Sequence, residues 1–425
     1  MMVEADLSAS AGRERPDASR VVCAVRVADR ATADLAEARR RAGRPFIVLV
    51  TAATAVAIAA SIPRVTAQSP GLTGGEQVAR TYDTILDARF EEVTPLLTGT
   101  CPPAPAEVCQ LLAVVSMWWQ IQQDPLQRGL DPTFQQQADA AIDQMERWTM
   151  REPGRAEAWF YLGGAVGARA QWRVLRGQTV AAARDGKRIK SSLERALMLD
   201  PGLLDAYFGI GLYHYYAGVA PAFAKILRWL LLLPGGDRER GLDEMLRARN
   251  GGQLLRSEAD YQLYQIYRWY EKQPSRAIEL LTALAARYPH NPHFSQQIAE
   301  IEDHTENHAG SLRVWEELRE RARSGRVANA PAVLARAELG TALELDHLGR
   351  PEAALPHLRA VIDAKPRSPV GAEALAQLQL GNAYDRLARR EQAIAAYRAA
   401  LAMNPAGDPL KIESRARTGL RTPAR

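Results

Sequence analysis

Histidine, phenylalanine and cysteine are scarce in this 425-residue chain, with seven, seven and three copies. Charge of one sign is scarce too. Lys+Arg total 54 against 49 Asp+Glu, a net charge of +5. That excess is too small and too dispersed for a nucleic-acid footprint. No glycine-rich phosphate loop and no G-x-S-x-G elbow occurs. His304 and His308, with Glu306 between, spell HTENH rather than the H-E-x-x-H of zinc proteases. Their spacing of four fits one face of a surface helix. His290 and His293 flank Pro292 and read as solvated turn residues. No catalytic residue, metal site or cofactor is expected. What is abundant is Ala, Leu and Arg, which lose least on entering a helix. The chain length favours several domains or an extended array over one globule.

Residues 46 to 62 form an uncharged apolar run, FIVLVTAATAVAIAASI, preceded by Arg39, Arg40, Arg41 and Arg44. Val65-Thr66-Ala67 follows with small residues suited to cleavage. Residues 39–67 therefore read as a signal peptide or as an uncleaved signal anchor. The arginines would keep the preceding end cytoplasmic. Both readings place the rest of the chain in the periplasm or outside the cell. Residues 1–38 have little periodicity and read as disordered or as lying upstream of the true start. Cys101 and Cys109 enclose the Pro-rich stretch PPAPAEV. In an oxidising compartment they are expected to form a disulfide, stabilising by roughly 2–3 kcal/mol.

From residue 75 to about 415 apolar residues recur at helical spacing, and a longer period overlies them. Leu380-Gly381, Tyr384, Ala393, Tyr397, Ala400 and Pro405 make the clearest unit. The small residues suit a close helix crossing, the large ones fill around it, and Pro405 stops the second helix. The second-helix pattern recurs as Ala354–Pro366, Ala277–Pro289 and Ala141–Pro153. Two neighbouring units are stretched. One opens at Trp159, Leu162 and Gly163, the other at Tyr207 and Gly211. They exceed the usual period of about 34 residues by about 14 and about 18. Residues 416–425 read as a disordered tail.

This spacing resembles the tetratricopeptide-repeat (TPR) superfamily. The resemblance implies an all-α, TPR-like α-solenoid, a right-handed superhelix of antiparallel helix pairs, here with two helical insertions. The insertion at about 169–190 is basic, with Arg169, Arg173, Arg176, Lys187 and Arg188 against one acid, Asp185. The insertion at about 219–240 is apolar, with Phe223, Leu227 and Trp229 beside Lys225, Asp237 and Arg238. Lys225, Leu227, Gly236, Asp237, Arg238, Gly241 and Leu242 resemble a segment of the eukaryotic tetratricopeptide-repeat-39 and inclusion-body-clearance family, which is linked to inclusions and lipid droplets. The expected function is an exported or anchored scaffold with protein or peptide partners on its concave face and no catalysis. The alternative is a lipid- or membrane-associated protein using 221–234. Trp118 and Trp119 read most simply as core; because adjacent helical positions point different ways, the alternative is that one of them lines a groove.

Overall fold

The computed structural model describes residues 71–219, 235–405 and 407–424. Seventeen helices and no strand occur among the described residues. Three helices come first: α1 (Gly75–Leu86), α2 (Phe90–Thr100) and α3 (Ala106–Gln123). α3 pairs with α4 (Asp131–Arg151). Six further pairs follow. They are α5 (Ala156–Leu175) with α6 (Thr179–Leu199), and α7 (Ala206–Val219) with α8 (Arg238–Gly251). Next come α9 (Arg256–Trp269) with α10 (Pro274–Arg287), and α11 (Pro292–His304) with α12 (His308–Arg323). The last are α13 (Ala330–His347) with α14 (Pro351–Ala364), and α15 (Ala372–Arg386) with α16 (Arg390–Ala402). α17 (Ile412–Arg421) packs on the final pair.

Each helix packs on the next in sequence, as expected when a repeat buries its apolar face only against neighbours. α10 shows the logic. Ala277, Leu281 and Leu284 are buried on one stripe, and Pro274 starts the helix where no N–H partner is lost. The crossings need small residues. A Cβ on Gly211 would lie 2.7 Å from the Gly241 carbonyl, so α7 and α8 meet backbone to backbone. At Gly381 a Cβ would lie 2.5 Å from the Tyr397 ring. That ring is fully buried, and its hydroxyl donates to Asp385 Oδ2 at 2.9 Å.

The basic insertion adds no separate element. It lengthens α5 and α6 to 20 and 21 residues, against 15 and 13 in the α15/α16 pair. Of the apolar insertion, residues 220–234 lie outside the described residues, as do residues 1–70 with the signal or anchor segment. The C-terminal expectation needs correction. Most of the segment read as a disordered tail belongs to α17. Ile412, Ala416 and Gly419 are buried there, and Asp408 accepts from the Ile412 and Glu413 amides at 2.6 and 3.1 Å. The signal is an apolar stripe too short to stand out beside the basic residues between.

The N-terminal helices do not simply prolong the stack. Cys101 and Cys109 are disulfide-bonded, joining the end of α2 to the first turn of α3. α1 and α3 then lie across the first helices of later pairs. Tyr82 of α1 donates to Glu258 of α9 at 2.8 Å. Asn291 donates to the Leu86 carbonyl at 2.7 Å, and Asp87 accepts from the His290 amide at 2.9 Å. Trp119 of α3 packs on Tyr261, with ring centroids 4.9 Å apart, and on His293 and Phe294. Just beyond α3, Asp124 accepts from Ser368 Oγ at 2.7 Å.

Candidate interaction surface

The basic run of the first insertion is tied into the fold. Arg169 bonds Asp185 at 2.7 Å and Asp139 at 2.8 Å. Arg173 reaches the other oxygen of Asp185 at 2.6 Å. Asp185 is buried, so two guanidiniums on one carboxylate supply the compensation that burial demands. Arg176 donates to the Pro125 carbonyl at 2.7 Å and to Asp131 at 2.8 Å. Arg188 pairs with Glu146, and Lys190 with Glu194. Asp131, Asp139 and Glu146 all come from α4, so the run's charge is met by acids it does not itself contain. Arg184 and Lys187 are exposed.

In the second insertion Phe223, Lys225, Leu227 and Trp229 lie outside the described residues. Asp237 caps α8 by accepting from the Arg240 amide at 3.1 Å. Arg238 donates through Nε to Glu271 at 2.8 Å. That contact holds the Glu271 carboxyl below its ordinary range. Tyr215 donates to the same carboxylate, and its ring packs edge-on against Tyr216 and Tyr270. His214 is buried with Nδ1 2.6 Å from Glu244. These groups latch α7, α8 and the α9–α10 turn together.

The residues of the TPR spacing lie in the helix pairs. Leu162 and Gly163 are in α5, Gly211 in α7, and Leu380, Gly381 and Tyr384 in α15, all buried. Trp159 is half-buried and donates to the Pro153 carbonyl at 3.1 Å. Ala393, Tyr397 and Ala400 line the buried face of α16, and Pro405 follows its end.

The cover that α1 and α3 provide decides two of the readings made from the sequence, and the backbone overturns a third. His293 is not solvated. It is buried against Trp119, with Nε2 3.0 Å from the Tyr261 hydroxyl. Burial pushes its pKa down to about 3, and Arg336 adds to the fall. Neither Trp118 nor Trp119 lines an open groove. Trp118 faces Phe134 and Trp119 faces Tyr261, since both sides of α3 are covered. His304 and His308 do not share a helix, because Glu306 at φ 63 ends one before the next begins.

The least expected surface is α9. Every residue from Ser257 to Tyr267 is buried, including Glu258, Asp260, Gln262 and Gln265. Gln262 donates to Gln171 of α5 at 3.1 Å, and Gln122 of α3 to the Tyr261 hydroxyl at 3.2 Å. Burial raises the Glu258 pKa despite hydrogen bonds from Tyr82 and Gln262. The only hint in the sequence is a tyrosine-rich helix whose polar positions have no outward side.

Residues 374–406 match a family model described as tetratricopeptide repeat. No curated protein matches the sequence. Among solved structures, the chain is similar to one in the APC/C hetero-tetramer Cut9–Hcn1, at 13% identity and TM-score 0.45. The match covers 81% of this chain and 57% of that one, so the chain spans little more than half of its length. Yeast Tom70 matches at 12% identity and TM-score 0.38, over 73% of this chain and 63% of that one. NprR in complex with its cognate peptide NprX matches at 10% identity and TM-score 0.36, over 81% of each. These scores are low, and the architecture rests on the chain's own helix pairing. With one repeat matched by its family model and seven helix pairs stacked in sequence, the described chain is a TPR-like α-solenoid.

Proposed function

We propose that this protein is a non-catalytic TPR scaffold that binds other proteins, working on the far side of a membrane from the cytoplasm. The observation that carries the reading is the use of its polar groups. The guanidinium–carboxylate contacts of α4 to α9 fasten helix to helix, and the face of α9 and α11 is taken by α1 and α3. The second helices remain open. Met150 at the end of α4 is 72% exposed and Met198 at the end of α6 is 67% exposed. Each lies three residues before the proline that closes its repeat, Pro153 or Pro201. Exposed methionines adapt to varied apolar partners, and Arg184 and Lys187 are exposed toward the other end of α6. This edge of α4 and α6 is the partner surface in our reading, in place of the concave face. Export is supported by the basic-then-apolar pattern of residues 39–67 and by the Cys101–Cys109 bond, since such bonds persist in oxidising compartments.

A photo-crosslinking residue placed at Met198 or at Arg184 in living cells tests the surface. A discrete adduct with a second protein is expected, lost when Met150 and Met198 are both changed to Asp. Absence of adducts from every exposed position tried on α4 and α6 defeats it. Mass spectrometry of the mature N-terminus tests the placement separately. A start at Gln68 marks cleavage, an intact apolar run in the membrane fraction marks an anchor, and a soluble full-length chain rules out both.

A further inference from the structure

Four side chains at the joint between the fifth and sixth helix pairs converge on one point. Asp303 is the penultimate residue of α11, and His308 is the first of α12. Glu344 and His347 lie three apart in the last turns of α13, hence on one face of that helix. Their donor atoms all lie within 4.8 Å of one another. The two imidazole Nδ1 atoms are 3.2 Å apart. Asp303 Oδ1 is 3.3 Å from each of them. Glu344 Oε2 is 3.0 Å from His308 Nδ1 and 3.6 Å from His347 Nδ1.

We propose that Asp303, His308, Glu344 and His347 bind one divalent transition-metal ion of the zinc class in tetrahedral geometry. The spacing carries the argument. Zinc binds imidazole nitrogen and carboxylate oxygen at about 2.0–2.2 Å, which sets the edges of a regular tetrahedron at about 3.3–3.6 Å. The donor–donor distances given above scatter around that edge. A surface ion pair needs only one close contact. Here each imidazole uses the same nitrogen toward the other imidazole and toward both carboxylates, so four lone pairs share one centre. Two nitrogens with two oxygens suit zinc or its transition-metal neighbours rather than magnesium or calcium, which prefer all-oxygen shells.

The surroundings match a bound cation. The Glu344 side chain is 1% exposed, and a carboxylate buried that deeply needs positive charge beside it. Its other oxygen accepts from Ser311 Oγ of α12 at 2.7 Å, an outer contact that fixes its orientation. The His347 side chain is 33% exposed, which leaves an entry path for the ion. The two carboxylates balance the charge of a divalent ion. Because α11, α12 and α13 all contribute, the ion would bolt the fifth pair to the first helix of the sixth.

The test uses the tag-free full chain, stripped with chelator and titrated with zinc chloride against a chromophoric competitor. One equivalent per chain is expected. Replacing His308 and His347 together by Ala should abolish uptake, and Ser311→Ala should weaken it by about 10–100-fold. Cobalt(II) added to the unaltered chain should give the intense visible absorption of a tetrahedral site, a readout that does not depend on any variant folding. Pale octahedral cobalt spectra, no stoichiometric zinc, or uptake unchanged in a folded double variant would each overturn the proposal. A plain ion-pair network of two imidazoles and two carboxylates would give the second of these results.

Discussion

α9 and α15 open their repeats in the same way, yet they live in different surroundings. In α15 the residues Glu373, Leu375, Gln377 and Asn382 stay partly open while the intervening alanines and leucines are buried. In α9 eleven consecutive residues are buried. Neighbouring helices alone cannot enclose a helix on every side. The extra cover on α9 comes from Tyr82 of α1 and from Trp119 and Gln122 of α3. Tyr82 brings a donor to Glu258 and Gln171 of α5 accepts from Gln262, so α9 can keep both inside without leaving them unsatisfied. One repeat unit thus serves two ends, an open step in the stack and a sealed core, according to what lies across its first helix.

Trp119→Ala should break this distinction most strongly. It empties the contact with Tyr261 and Phe294, and about 3–5 kcal/mol of stability should go with it. Hydrogen exchange should accelerate in α9 and α11 while α15 and α16 keep their protection. Equal acceleration in both regions would show that the seal is not local. Tyr82→Phe is milder. It removes a donor from a buried carboxylate, so urea unfolding should show a loss of about 1–3 kcal/mol. A change of a few tenths would mean that other donors suffice for Glu258.

Acid should separate the regions gradually, by a small amount at each step in pH. His293 stays neutral when folded, with its pKa near 3 against 6.5 when free. Below pH 6.5 the unfolded chain takes up a proton that the folded chain refuses. Stability of the sealed region should therefore fall as pH drops from about 6.5 toward 3, by up to about 1.4 kcal/mol per pH unit. His293→Gln should flatten that slope without altering the α15–α16 region. The smallest effect belongs to the exposed Arg417–Glu413 pair of α17. Arg417→Ala should cost about 0.3–0.5 kcal/mol, a level that marks what ordinary surface contacts are worth here.

The α15/α16 unit was readable because its determinants are local. Gly381 and Tyr397 are 16 residues apart, and their fit lies within one helix pair. The seal over α9 was hidden because Tyr82 and Glu258 are 176 residues apart. No periodicity within either helix announces the other. The pairing of the basic insertion was hidden for a related reason. Its charge was counted along the chain, while its partners Asp131, Asp139 and Glu146 stand on another helix. The histidines misled through the backbone. A left-handed residue at Glu306 turned an apparent i, i+4 pair into two residues on separate helices, and only His308 meets His347.

The long reach of α1 has a consequence for how the chain is made. Repeat arrays ordinarily fold by nearest-neighbour steps and can fray from either end. Here Asp83 and Tyr288 must find one another across 205 residues of sequence. The N-terminal helices leave the ribosome first but cannot settle until the fourth and fifth pairs exist, so contacts of such separation slow assembly. Once made, they join the start of the array to its middle, and pairs that would melt one at a time unfold together.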